Sequence, residues 1–168
     1  MWGTDATSVW TRKHGMVTVF LAIDHCTSEC VGLHAAQSGT RFEALEPIRQ
    51  GVREQFGGYQ EDAAEGLTIR HDHGSQFMSR DYQAELRYLG MRSSPAFVAE
   101  PECNGVAERF VRTLKEQCLW LQTFDTAEDV RAALSVFKET YNHGWLVQKH
   151  GHRTPVEARH HLTVARAA

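Results

Sequence analysis

Up to Ala36, apolar and β-branched residues fall in short alternating or continuous runs, the pattern of extended strands, and at Arg41 the spacing becomes helical. Trp2 to Trp10 mixes Thr, Val and Trp with polar residues, and Met16 to Ile23 is β-branched and aromatic. Arg12-Lys13-His14-Gly15 between them reads as a turn, and a run from Cys30 to Ala36 completes an antiparallel meander of three strands. From Arg41 to Phe56, Phe42, Leu45, Ile48, Val52 and Phe56 recur at helical intervals until Gly57-Gly58. Leu67-Thr68-Ile69 predicts a strand ending near Asp72, then a helix from about Ser79 to Leu89 that Gly90 stops.

A short strand at Met91 to Ser93 leads into an irregular stretch, Ser94 to Gly105, and unstructured connections of that length are often functional. A long helix over Val106 to Leu121 would set Val106, Phe110, Leu114, Cys118 and Leu121 on one face, with Glu108, Arg112 and Lys115 on another. Capping signals at Asp125-Thr126-Ala127-Glu128 and Thr154-Pro155-Val156-Glu157 open two further helices, the first reaching about Tyr141. The tail after His160 is expected to fray. The order βββαβαβαα predicts an α/β fold with helices on the faces of a mixed sheet.

At 168 residues and 42% hydrophobic content the chain fits one domain, 1–168, with a sizeable core. No apolar run approaches the roughly 20 residues of a membrane span and no secretory leader precedes Asp5, so a soluble, cytoplasmic protein with no membrane partner is expected. Cys26, Cys30, Cys103 and Cys118 form no C-x-x-C pair and read as reduced thiols. With 18 basic against 21 acidic residues, formal charge −3, strong duplex binding would need cations gathered on one face or supplied by another segment.

Three carboxylates stand out. Asp5 lies mid-strand between Thr4 and Thr7, where a solvated residue on a polar face is the ordinary reading. Asp72 closes a strand in His71-Asp72-His73-Gly74-Ser75, equally suited to a turn that bonds the amides of Gly74 or Ser75 and to ligation. Glu108 near a helix start complements the helix dipole, or pairs with Arg112 one turn on. Taken together they suit divalent cations bound through oxygen, Mg2+ or Mn2+, as a phosphoryl-transfer site requires. His71 and His73 point opposite ways on an extended backbone, and no other His or Cys pair has zinc-site spacing. Asn104, Arg109, Arg112 and Lys115 cluster around Glu108 as candidate DNA contacts.

These motifs resemble the catalytic core of the retroviral-integrase superfamily, in particular the transposases of bacterial insertion sequences. The likeness rests on Trp2-Gly3-Thr4-Asp5-Ala6-Thr7, Leu21-Ala22-Ile23-Asp24, His71-Asp72-His73-Gly74-Ser75-Gln76-Phe77 and Asn104-Gly105-Val106-Ala107-Glu108-Arg109-Phe110. Thr113-Leu114-Lys115-Glu116, Tyr141-Asn142 and Thr154-Pro155 extend it over nearly the whole chain. Asp5, Asp72 and Glu108 have the family's order, with 35 residues between the last two and Lys115 seven past the glutamate.

The resemblance implies a ribonuclease-H-like fold with a mixed five-stranded sheet, three strands antiparallel and two parallel, and residues 142–168 as a C-terminal extension of the core. It also implies Asp5, Asp72 and Glu108 as catalytic ligands of two Mg2+ ions (Mn2+ substituting), a mobile loop before Glu108, and Lys115 near the cut DNA end. The activity implied is metal-dependent cleavage and strand transfer on element ends and target DNA in the bacterial cytoplasm, at the nucleoid, by a homodimer or higher oligomer. A nuclease that cuts without joining and a silent DNA-binding remnant are the alternatives. Two departures qualify the match: Glu102-Cys103-Asn104-Gly105-Val106-Ala107 stands where many relatives carry Tyr-Asp-Asn-Ala, and the helix-turn-helix region that precedes the core in full transposases is absent.

Overall fold

The structure, a computed structural model, describes residues 1–96 and 104–167. Strands β1 (Trp2–Thr11), β2 (Gly15–Asp24) and β3 (Cys30–Ala36) form the expected meander, and α1 spans Arg41–Phe56. The chain continues through β4 (Thr68–His71), a single turn α2 (Ser75–Met78), α3 (Arg80–Tyr88), β5 (Arg92–Pro95), α4 (Gly105–Leu114), α5 (Ala127–Gly144) and α6 (Pro155–Ala167). The sheet order is β3-β2-β1-β4-β5, with β1 to β3 antiparallel and β4 and β5 running parallel to β1.

Strand periodicity divides the core between the two faces of this sheet. In β2, Val17, Val19, Leu21 and Ile23 pack with Phe110, Leu114, Val130, Leu134 and Phe137 from α4 and α5. Phe20 and Ala22, pointing the other way, join Trp2, Leu45, Ile48, Tyr82 and Leu86 under α1 and α3. Both faces are thus covered by amphipathic helices, and each fully buried large apolar side chain contributes about 1.5–3 kcal/mol.

β3 is an edge strand whose outer backbone groups are met by side chains. Asn142 of α5 clamps Cys30, its Oδ1 accepting from Cys30 N and its Nδ2 donating to Cys30 O, both at 2.9 Å. The β2–β3 register shifts between Ala22 and Ile23, and Lys138 Nζ donates to Val31 O at 3.2 Å. Gln50 bonds both Leu33 N and Leu33 O, while Arg131 Nε donates to Ala35 O. An open edge would recruit another strand, and these four side chains close it.

Several elements depart from the sequence reading. β5 reaches Pro95 although Ser-Ser-Pro has little strand preference, because pairing with β4 in the pairs Thr68↔Arg92 to His71↔Pro95 supplies the order. The helix expected over Val106 to Leu121 is α-helical only to Leu114 and closes with a π turn, Lys115–Leu119, in which Trp120 N donates to Lys115 O at 2.9 Å. The extra residue rotates the sequel, so Leu119 is buried and Leu121, which the helical period placed in the core, is 69% exposed. The capping box of α5 joins Thr126 to Asp129, one residue later than the Asp125 to Glu128 box read from the sequence, whereas Thr154 and Glu157 cap α6 as read. The tail expected to fray after His160 is helical to Ala167. Most of the irregular Ser94 to Gly105 stretch, with Cys103, lies outside the described residues; Cys26, Cys30 and Cys118 are free thiols.

Candidate active site

The parallel pairing of β1 with β4 is what relates the two aspartates. Trp2 stands opposite Ile69 and Gly3 opposite Arg70, so Asp5 and Asp72 each lie two residues beyond the last pair on neighbouring segments. Side-chain alternation directs Trp2 to the α1 side, and therefore Gly3 and Asp5 to the side on which α4 packs over β1 and β2. Glu108 lies in the first turn of α4 and is exposed, as is Asp72.

Asp5 records the result electrostatically. Burial pushes its carboxyl from 3.8 up to about 6; an Ala6 N–H bond to Oδ1 at 2.7 Å opposes that rise, the charges of Asp72 and Glu108 add to it, and Lys115 opposes it. Two carboxylates and one lysine from distant segments therefore each act on Asp5. Lys115 Nζ also lies 6.0 Å from the Trp120 ring centroid, held there by the π turn.

Asp72 takes the turn role as well, its Oδ1 accepting from Gly74 N at 2.7 Å. Gly74 has an ordinary φ of −54°, and a Cβ there would push on Gln76 Nε2 at 2.6 Å and Asp72 Oδ1 at 2.9 Å. His71 is fully buried, its Nδ1 on Asp72 O at 2.6 Å and its Nε2 on Ser93 Oγ at 2.8 Å, while His73 Nε2 donates to Ala96 O. Both ring nitrogens of His71 are thus engaged, and one of those of His73. Among the described residues no three His, Cys, Asp or Glu side chains close round a common point as a preformed ion cage. The donor set nevertheless fits Mg2+, which takes one or two carboxylates and fills the rest of its octahedron with water and phosphate oxygen.

Asn104 sits otherwise than expected of a DNA contact: it is 7% exposed and its Nδ2 donates to Thr4 O at 3.3 Å, tying the start of α4 to the strand that carries Asp5. Gly3 makes that approach possible, since a Cβ there would meet His25 Nε2 at 2.2 Å and Asn104 Oδ1 at 2.8 Å. Both atoms are buried without a hydrogen-bond partner, and burial lowers the His25 pKa. Sequence reasoning passed over His25; its signal was its place directly after the Leu21-Ala22-Ile23-Asp24 run. Arg112 is exposed on the Glu108 face, Arg109 on the adjoining flank, and among the described residues no ion pair joins Glu108 to Arg112. A cleft between α1 and α5 also holds several charged groups, but they satisfy one another, Lys138 with Glu54 at 2.7 Å and Arg159 with Glu29 at 3.0 Å.

Comparison with known proteins agrees with this architecture. The family described as "Integrase core domain" matches residues 89–155. The chain is 26% identical over 162 residues to the transposase InsD for insertion element IS2A/D/F/H/I/K of Escherichia coli, covering 93% of this chain and 52% of that protein. It is 26% identical over 166 residues to the insertion element IS2A uncharacterized 48.2 kDa protein of Escherichia coli, covering 95% of this chain and 38% of that protein. The chain thus spans about half or less of these relatives' length. The catalytic core domain of BIV integrase superposes with a TM-score of 0.67 at 20% identity, over 99% of this chain and 97% of that one. The HTLV-2 integrase catalytic core domain in complex with magnesium, in a trimeric form, gives 0.66 at 16% identity over 94% and 93%. The mixed sheet flanked by helices is the ribonuclease-H-like fold of those cores, and residues 89–155 carry the similarity to the integrase core domain family.

Proposed function

We propose that this chain is the catalytic core of a DDE-type polynucleotidyl transferase, a transposase or integrase core that cuts DNA and joins the freed end to a target strand. The observation that supports this reading is that Asp72, Glu108 and Lys115 all act on the charge of half-buried Asp5, whose strand pairs with the strand that leads to Asp72. Such repulsion opposes folding and is relieved by a divalent cation. Asp5, Asp72 and Glu108 would hold two Mg2+ ions, or Mn2+ in their place, which supply Lewis-acid stabilisation of the phosphate oxygens.

The remaining work falls to the chain's own groups. Arg112 and Lys115, one and two turns along from Glu108, neutralise the phosphates either side of the scissile bond. Asn104, by anchoring α4 on Thr4 O, sets the distance between Glu108 and Asp5. The attacking oxygen is water for cleavage or a DNA 3′-hydroxyl for joining, in line with the leaving oxygen, without a covalent enzyme intermediate. Joining two element ends calls for paired copies, so the working form is a homodimer or higher oligomer. The bacterial nucleoid is its place of action; among the described residues no helix is long and apolar enough to cross a membrane.

The test uses Asp72→Asn and Glu108→Gln with labelled duplex carrying a recessed 3′-hydroxyl and a supercoiled plasmid target, in Mn2+. The parent protein nicks and joins, and both variants keep the parent circular dichroism while losing both activities. Retained cleavage in either variant refutes the assignment, and nicking without joining makes the protein a hydrolytic nuclease of the same fold.

A further inference from the structure

Glu108 and Arg112 occupy one face of α4, with Lys115 opening the π turn just beyond it, and Arg109 with Thr113 occupies the adjoining flank. That flank walls a cleft of 580 Å3 completed by Ile23 of β2, the Tyr141 to Trp145 end of α5 and the turn that carries Lys149. Tyr141 and Trp145 stack there, ring centroids 6.0 Å apart at 29°, and Trp145 keeps 39% of its surface exposed. Lys149 Nζ donates to His25 O at 3.0 Å, pinning the turn to the β2–β3 connection. Partial burial lowers the Lys149 pKa; the Cys26 thiol and the Asp24 carboxylate act against that, and the Arg109 guanidinium adds to it. Arg109 and Lys149 thus stand within reach of each other's charge, and among the described residues neither is in an ion pair.

We propose that this cleft is a subsite for one unpaired nucleotide of the DNA strand, its phosphate held between Arg109 and Lys149 and its base lying on Trp145. The inference rests on the DNA-processing function proposed above. Neighbouring cations without a carboxylate partner are the usual footprint of a phosphate, and an exposed indole face accepts any base by stacking. The volume is that of a small-ligand cleft, roughly 300–1,000 Å3, and a duplex cannot enter it because its bases are stacked inside a convex rod. Only a frayed or extrahelical nucleotide offers a free base face. Its place beside the Glu108 face of α4 puts it along the path of a strand leaving the cut.

Binding of two DNAs to the whole chain at low salt decides the matter: a duplex ending in a short tail of unpaired thymidines, and the same duplex fully paired. Trp145→Ala weakens the tailed duplex by about tenfold or more and the paired one by less than about twofold, and Trp145→Phe restores tail binding. Lys149→Gln lowers the salt slope for the tailed duplex alone by about 0.7. Equal weakening of both DNAs, or no weakening of either by both substitutions, overturns the subsite and leaves the DNA-processing function standing. Displacement of the tail by free thymidine monophosphate as effectively as by a tailed oligonucleotide overturns it in favour of a free-nucleotide site. A parent protein that binds neither DNA removes the DNA-processing reading itself, and the subsite with it.

Discussion

Asp5→Asn removes the central charge of the candidate site while keeping the side-chain oxygen that accepts from Ala6 N. The folded state holds a proton on Asp5 more tightly than the unfolded chain does, the carboxyl rising from 3.8 to about 6, so ionised Asp5 is a cost to folding. That cost is absent below about pH 4, grows between about pH 4 and pH 6, and is complete above. At about 1.4 kcal/mol per pH unit its ceiling is about 3 kcal/mol. Water reaching the half-buried carboxyl reduces this to about 1–2 kcal/mol. The asparagine variant should therefore melt about 2–8 °C above the parent at neutral pH without divalent cations, with the gap closing towards about pH 4. Adding Mg2+ or Mn2+ should raise the parent's melting temperature more than the variant's, because a cation relieves a repulsion that the variant has already lost. Differential scanning calorimetry over this pH range, with and without cation, measures each part. An asparagine variant that is less stable at neutral pH, or a gap that does not change with pH, would refute the burial of Asp5 beside the charges of Asp72 and Glu108.

Asn142→Ala strips both backbone partners from buried Cys30 and should cost about 2–4 kcal/mol in urea unfolding, with β3 amides losing hydrogen-exchange protection first; a loss under about 1 kcal/mol would mean water replaces the clamp. Gly3→Ala must displace His25 or Asn104 and should cost about 1–3 kcal/mol while abolishing strand cleavage, since the start of α4 shifts relative to Asp5; full activity would show that Asn104 does not set that distance. Lys115→Gln should leave the melting temperature within about 1 °C and lower the salt slope of DNA binding by about 1, and an unchanged slope would place Lys115 away from phosphate.

Where the period was long and clean, the sequence was sufficient. Five apolar residues at helical spacing bounded α1 at Arg41 and Phe56 even with Pro47 inside it, and β3 was bounded at Cys30 and Ala36. Short or ambiguous stretches were decided by neighbours: the single turn α2 had no period to show, β5 took its order from β4, and the π turn after Leu114 broke a helical register that residue type alone continued to Leu121. Asn104 carried a motif-based expectation of DNA contact, yet its amide is spent on Thr4 O, an acceptor a hundred residues away along the chain that no local pattern reveals.

By itself the sequence determined the fold class, the strand and helix order, and the identity of three acids at spacings that suit a metal-dependent phosphoryl-transfer site, because periodicity and residue chemistry are local properties. Only the tertiary structure decided that Asp5 lies within reach of the charge of Asp72, that α4 lies over β1 so that Glu108 and Lys115 act on Asp5, and that Arg109 turns to a separate cleft with Trp145 and Lys149. Those relations depend on parallel strand register and on which helix covers which face, and both are set by non-local burial that leaves no mark in any short stretch of residues.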